Sequence, residues 1–236
     1  MIRIISVALG AALIPPESEA ELLARSARLT GQRLGDIAAA LQSPVPLDLR
    51  RAKGFTGQLL ERALGATASS RAVPDFESLG IELKSLPVDR RGHPCESTFV
   101  CTISLREVGE VEWEQSRAFA KLRRVLWIPV EGERSIRPAE RRVGTPLLWS
   151  PSAAEEAQLR ADWDQLGTLI FAGRIDEITG HVGKYLQVRP KGKNASARRG
   201  YWDEDGAVTS TMPRGFYLRA SFTAKILSAH FVLPYS

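Results

Sequence analysis

"PDFESLGIELKSL", Pro74 to Leu86, sets an aspartate behind a turn-making proline and a glutamate and a lysine one residue apart in an apolar run. Ile81 and Leu83 alternate with Glu82 and Lys84, so a strand here turns its apolar pair one way and its charged pair the other. Glu82 and Lys84 then share a face about 7 Å apart. A loop from Pro74 brings Asp75 beside them. A solvated strand edge with an accidental ion pair is the ordinary meaning of such a pattern. The alternative is chemistry on phosphate. Carboxylates from two elements, Asp75 and Glu82, with the backbone carbonyl of Leu83, make a donor set for Mg²⁺, whose remaining positions fall to water and a phosphate oxygen. A metal lowers the pKa of water, and a lysine orients or deprotonates that water.

The rest of the chain weighs on this choice. It has 236 residues, 44% hydrophobic and 25% charged, with a net charge of +5. These values describe a soluble globular protein with room for an acidic partner. The two cysteines, Cys95 and Cys101, make no disulfide framework, which fits a reducing compartment such as the cytoplasm. With His93 they match no usual zinc spacing. The apolar stretch Ile4–Ile14 is too short to span a membrane and lacks a cleavage signal, so residues 1–14 read as an extension.

Helices and strands alternate. Ser18-x-x-Glu21 is a capping box before Leu22, Leu23 and Leu29, and Gly31 stops the helix. Leu34, Ile37, Ala38 and Leu41 repeat at helical spacing, and Gly57–Leu64 reads as a third helix. Phe99, Cys101, Ile103 and Leu105 alternate with Thr98, Val100, Thr102 and Ser104 as a strand. Ser116 to Arg124 reads as a helix, and "VLWIPV" from Val125 as a buried central strand. Ser152-x-x-Glu155 caps a long helix with Leu159, Trp163, Leu166 and Ile170 buried. "KYLQVRPKGKN" and "MPRGFYLR" are further strands, and a last helix starts near Ser221. The class is α/β, a mixed central sheet flanked by helices.

Three features favour phosphate chemistry. Glu61 projects from the third helix and offers another carboxylate. Lys121, Arg123 and Arg124 lie just ahead of the buried strand. Lys184 to Arg199 holds six Lys/Arg and no Asp/Glu. A strand there turns Tyr185, Gln187 and Arg189 to one face and Leu186 and Val188 to the other, a form suited to a nucleic-acid groove.

On "KGFTGQLLE", "PDFESLGIELKSLPVD", "ESTFVC", "KLRRVLWIPVEGERSI", "RRVGTPLLWSP", "YLQVRPK" and "PRGFYL", the chain resembles the MutH family of DNA mismatch-repair endonucleases from about Pro15 to Val232. It departs from the family at residues 1–11 and in "GYWDEDGAVTST". The resemblance implies residues 15–236 as one endonuclease domain, a restriction-endonuclease-like fold whose two lobes form a DNA cleft. It implies Mg²⁺-dependent nicking of the unmethylated strand at hemimethylated GATC sites by a monomer, activated by MutL with MutS. By position, Asp75, Glu82 and Lys84 are catalytic, Glu61 assists, and Lys121 is a further required lysine. Lys53, Arg189, Pro190, Lys191 and Tyr217 fall where the family reads GATC, and Phe99 where it touches DNA.

Two rivals stand beside this expectation. A restriction enzyme for the same site would cut both strands. An inactive DNA-binding module would cut neither, but it has no use for clustered carboxylates that repel phosphate.

Overall fold

A computed structural model describes residues 14–68, 71–103, 111–191, 199–202, 208–211 and 214–231. The expected extension (except residue 14), the Ser104 and Leu105 end of the second strand, and most of the basic stretch after Lys191 lie outside the described residues. In chain order the elements are α1 (Glu19–Leu29), α2 (Leu34–Ala40), α3 (Phe55–Leu64), β1 (Glu82–Val88), β2 (Thr98–Thr102), α4 (Arg117–Leu122), β3 (Val125–Glu131), β4 (Leu147–Trp149), α5 (Ala153–Phe171), β5 (Leu186–Pro190), β6 (Arg199–Trp202), β7 (Val208–Thr211), β8 (Arg214–Leu218) and α6 (Ala220–His230). The architecture is mixed α/β. No helix among the described residues is long and apolar enough to cross a membrane.

The chain divides into two compact units, Met1–Arg90 with Leu126–Leu148, and Arg91–Val125 with Trp149–Ser236. The first is built on the sheet β1-β3-β4. Every residue of β3 from Val125 to Val130 is buried, as its unbroken apolar run requires of a central strand. Leu22, Ile37, Leu60, Leu64, Leu83 and Ile128 belong to the core between this sheet and its helices. α3 starts two residues before the expected Gly57, because Gly54 at φ +89° turns the chain into the helix from Phe55. At α1 only half of the capping box forms. Ser18 accepts the Glu21 N–H at 3.2 Å, but the Glu21 carboxylate takes the N–H of Glu17 instead of Ser18.

The second unit centres on the antiparallel sheet β2-β8-β5. Leu186, Val188, Phe216 and Leu218 are buried on one face, and α5 packs against β5. The α5 stripe of Leu159, Trp163, Leu166 and Ile170 is buried as the spacing predicts, behind a complete Ser152/Glu155 capping box. All of the β6–β7 hairpin but Arg199 lies within the stretch where the sequence departs from its resemblance. Neither it nor the three-residue β4 follows from the alternation pattern.

The strand at Phe99 differs from expectation. Phe99 pairs with Tyr217, but Cys101 pairs with Phe216, so Val100 is an extra residue in a β-bulge. The bulge reverses the side-chain parity. Cys101 is buried with Phe216, whereas Phe99 turns to the other face with Tyr217. The uniform apolar row from Phe99 to Ile103 is therefore broken after its first member.

Tyr185 also departs from its expected row. It precedes β5, and its ring stacks on buried Phe222 at 4.0 Å instead of joining Gln187 and Arg189. The cause is the carboxylate of Asp162 on α5, which is only 2% exposed. It accepts the N–H groups of Lys184, Tyr185 and Leu186 at 2.9, 2.5 and 2.8 Å. Strand parity begins only after this clamp. Gly183 just ahead sits at φ +79°, where a Cβ would fall 2.0 Å from the Leu186 carbonyl oxygen, so no other residue fits. From the opposite polarity, Arg219 donates to the carbonyls of Gly183, Gly180 and Val182.

Candidate nuclease centre and nucleic-acid interface

In the first unit, the turn after Pro74 closes on itself. Phe76 and Ile81 form an antiparallel bridge and exchange both backbone hydrogen bonds, at 2.9 and 3.2 Å. The next opposed pair outward is Asp75 and Glu82. In a non-hydrogen-bonded pair of this kind the Cα atoms stand about 4.5 Å apart, with the side chains at their closest. The Asp75 carboxylate accordingly reaches across to accept the Leu83 N–H at 2.8 Å. Two residues along β1, Lys84 Nζ meets Glu82 Oε1 at 2.6 Å.

Burial excludes the solvated strand edge. Glu82 is 2% exposed and Asp75 7%. Two carboxylates out of water beside a half-buried lysine are expensive, and such a pair is seldom worth its desolvation for stability alone. Glu61 comes to the same strand from α3, which packs on β1. Its Oε1 and the Ser85 hydroxyl each lie 3.7 Å from where a Cβ on Gly57 would stand. Lys53 is exposed in the turn before α3.

The donor set fits a hard divalent cation. Asp75 and Glu82 supply carboxylate oxygens, and the Leu83 carbonyl lies on the strand between Glu82 and Lys84. Among the described residues no group of three or more His, Cys, Asp or Glu could hold a metal ion. Mg²⁺ does not require such a cage, because it binds through one or two carboxylates and keeps water and substrate oxygens.

The second unit gathers the other expected residues on the outer face of its sheet. Gln187, Tyr217 and Phe99 form one row across three strands, and Arg189, Gly215 and Thr102 the next. The Phe99 and Tyr217 rings meet edge to face at 5.3 Å. Lys191 Nζ lies 4.5 Å above the Phe99 ring and donates to Thr102 Oγ1 at 2.7 Å. The Arg189 guanidinium is 6.0 Å from the Tyr217 ring. Gly215 makes room for this packing, since a Cβ there would sit 2.8 Å from Phe99. Burial pushes the Tyr217 phenol above its usual pKa; Arg189 offsets part of the rise and Glu96 adds to it. Pro190 ends β5 and is exposed. Lys121 is half-buried in the last turn of α4, which packs on β2.

Ser97 and Gln187 complete this face; Ser97 was not expected, and Gln187 was expected beside Arg189 on a groove-facing strand but not named as a site residue. Their signal was parity: Ser97 lies two residues before Phe99, and Gln187 two before Arg189.

A buried carboxylate–lysine strand in one unit and a cation–aromatic sheet face in the other are features suited to an enzyme that works on DNA. Residues 64–162 match the family described as "DNA mismatch repair enzyme MutH". The chain is 51% identical over 221 residues to the DNA mismatch repair protein MutH of Klebsiella pneumoniae strain 342, covering 94% of this chain and 96% of that one. It is 50% identical, with the same coverage, to the MutH proteins of Citrobacter koseri and Escherichia coli K12. The chain belongs to the MutH family of DNA mismatch-repair enzymes.

Proposed function

We propose that this mismatch-repair endonuclease nicks the unmethylated strand of hemimethylated GATC sites, with Mg²⁺ held by Asp75, Glu82 and the Leu83 carbonyl. The observation that carries the proposal is the buried Glu82–Lys84 pair opposed to Asp75 on a strand fixed by sheet and core. A bound Mg²⁺ supplies an acidified water and offsets charge on the scissile phosphate. The Leu83 N–H fixes the Asp75 carboxylate in place. Lys84 Nζ, rooted two residues from Glu82, orients or deprotonates the attacking water and faces the phosphate with positive charge. Glu61 assists from α3, and Lys121 adds a further cation. A restriction-endonuclease-like fold goes with this chemistry.

Sequence reading falls to the cation–aromatic face. Arg189 and Pro190 on β5, Lys191 just beyond it and Tyr217 on β8 contact the site, joined by Lys53, while Phe99 touches the DNA. Arg and Lys donors suit the acceptors of guanine in the major groove. The enzyme works as a cytoplasmic monomer, and MutL with MutS activates it.

A plasmid with one hemimethylated GATC site tests the proposal. The expected product in Mg²⁺ is a nicked circle cut in the unmethylated strand, with no change in EDTA. A linear product would identify a restriction enzyme, and an intact supercoil an inactive binding module.

A further inference from the structure

The cation–aromatic face is rich in donors, yet a GATC sequence also offers donors of its own, the exocyclic amines of adenine and cytosine. Reading them needs an acceptor. Gln187 stands beside Tyr217 in the same cross-strand row and is 7% exposed. Its Nε2 donates to Ser97 Oγ at 2.9 Å, and Arg189 Nη1 donates to the same oxygen at 3.2 Å. Both acceptor positions of the hydroxyl are thus used by residues of the face. With its NH₂ anchored, the Gln187 amide is oriented, and among the described residues nothing donates to its Oε1. An immobilised amide loses little rotamer freedom when it binds, so its carbonyl is ready as an acceptor.

We infer that Gln187 is a specificity-determining residue whose Oε1 accepts a hydrogen bond from the exocyclic amine of adenine or cytosine, and that Ser97 is the positioning residue that aims both Gln187 and Arg189. This rests on the GATC nicking proposed above. It explains why a polar side chain at a nearly buried position is tied to a serine rather than replaced by an apolar one. A buried amide left unpaired on one side is costly unless a partner arrives.

The test is strand-specific nicking of GATC duplexes in which the adenine is replaced by purine, or the cytosine by its 4-deamino analogue, so that one amine is removed at a time. The enzymes are the wild type, Gln187→Met, Gln187→Glu, Ser97→Ala and Ser97→Thr, each checked for folding by circular dichroism. The wild type should lose on the order of tenfold in rate on one of the two analogues, which identifies the base read. Gln187→Met should show that loss already on the natural duplex and lose nothing more on that analogue. Gln187→Glu keeps an acceptor and should keep the wild-type sensitivity to the amine, so it carries the test if the Met variant does not fold. Ser97→Ala should lose the sensitivity with Gln187 intact, and Ser97→Thr, which keeps the hydroxyl, should restore it. Losses on both analogues that multiply independently with the Gln187→Met loss would overturn the inference while leaving GATC nicking in place. Failure of the wild type to nick any GATC duplex would overturn the functional proposal and the inference together.

Discussion

Two buried carboxylates of this chain, Glu82 and Asp162, are each 2% exposed, and they are satisfied in opposite ways. Asp162 accepts three backbone N–H groups and the Gln158 amide. Its charge is consumed in holding the entry to β5. Glu82 faces a lysine two residues away on its own strand, with Asp75 opposite. Burial alone does not mark a catalytic group. A carboxylate neutralised by the backbone is scaffold, whereas one set against another carboxylate and a lysine side chain stands where a cation can join the group.

The largest separation comes from removing the charge at each place. Replacing Glu82 and Lys84 together by methionine should reduce nicking by roughly 10³-fold or more. Stability should hold or rise, since well-packed apolar groups often replace a buried ion pair without loss. Urea unfolding beside the plasmid assay measures both. A clear fall in stability would make the pair scaffold after all. Next is Asp162→Ala, which strands three donors at about 1–3 kcal/mol each and should cost at least ~3 kcal/mol in the same titration. Asp162→Asn, with one acceptor left, should fall between. An unchanged unfolding midpoint would show that the N–H groups find other partners.

Smaller effects belong to the sheet proposed to face DNA. Arg189→Ala should narrow the discrimination between GATC and near-sites by about 1–3 kcal/mol. Binding at two salt concentrations checks it: a uniform loss on every sequence with a flatter salt slope would make Arg189 a phosphate contact instead. Tyr217→Ala should bring the nicking rates of methylated and unmethylated strands closer, because an added methyl on adenine loses its packing conflict with the ring, about 1–3 kcal/mol. An unchanged ratio across unmethylated, hemimethylated and fully methylated duplexes would remove it from that role.

The smallest effect compares a third carboxylate. Burial raises the pKa of Glu155, but the Ser152 N–H, Lys225 and the Ser152 hydroxyl outweigh it and hold the group below its usual value. Its folded pKa is depressed, so its stabilisation is present above the unfolded value of 4.5 and is lost as pH falls through the folded one. Glu155→Gln should therefore lower the melting temperature slightly at neutral pH and converge on the wild type in acid. A difference that persists in acid would mean that the capping geometry, not the charge, was lost.

What the sequence made legible follows from distance along the chain. Asp75, Glu82 and Lys84 lie within ten residues, and one turn and one strand period bring them together. The α5 stripe was equally local. Asp162 was legible too, though unread: it lies three residues after Leu159 and one before Trp163, on the buried side, where a carboxylate needs partners. The outer face of β2-β8-β5 draws on Ser97–Thr102, Gln187–Lys191 and Gly215–Tyr217, and no local period pairs those segments. Resemblance supplied its members, but the register and the bulge came only with the sheet.

The bulge at Val100 has a consequence for how this surface can change. Everywhere else on β2 the side presented to the outside is dictated by odd or even position, so exchanging Phe99 alters the surface one residue at a time. At Val100 the strand carries a single supernumerary residue, and its removal would leave every pair with β8 in place: Phe99 would still stand opposite Tyr217 and Cys101 opposite Phe216, now as direct neighbours in an unbroken ladder. Chain length can therefore change by a single codon here without exchanging the two faces of the sheet.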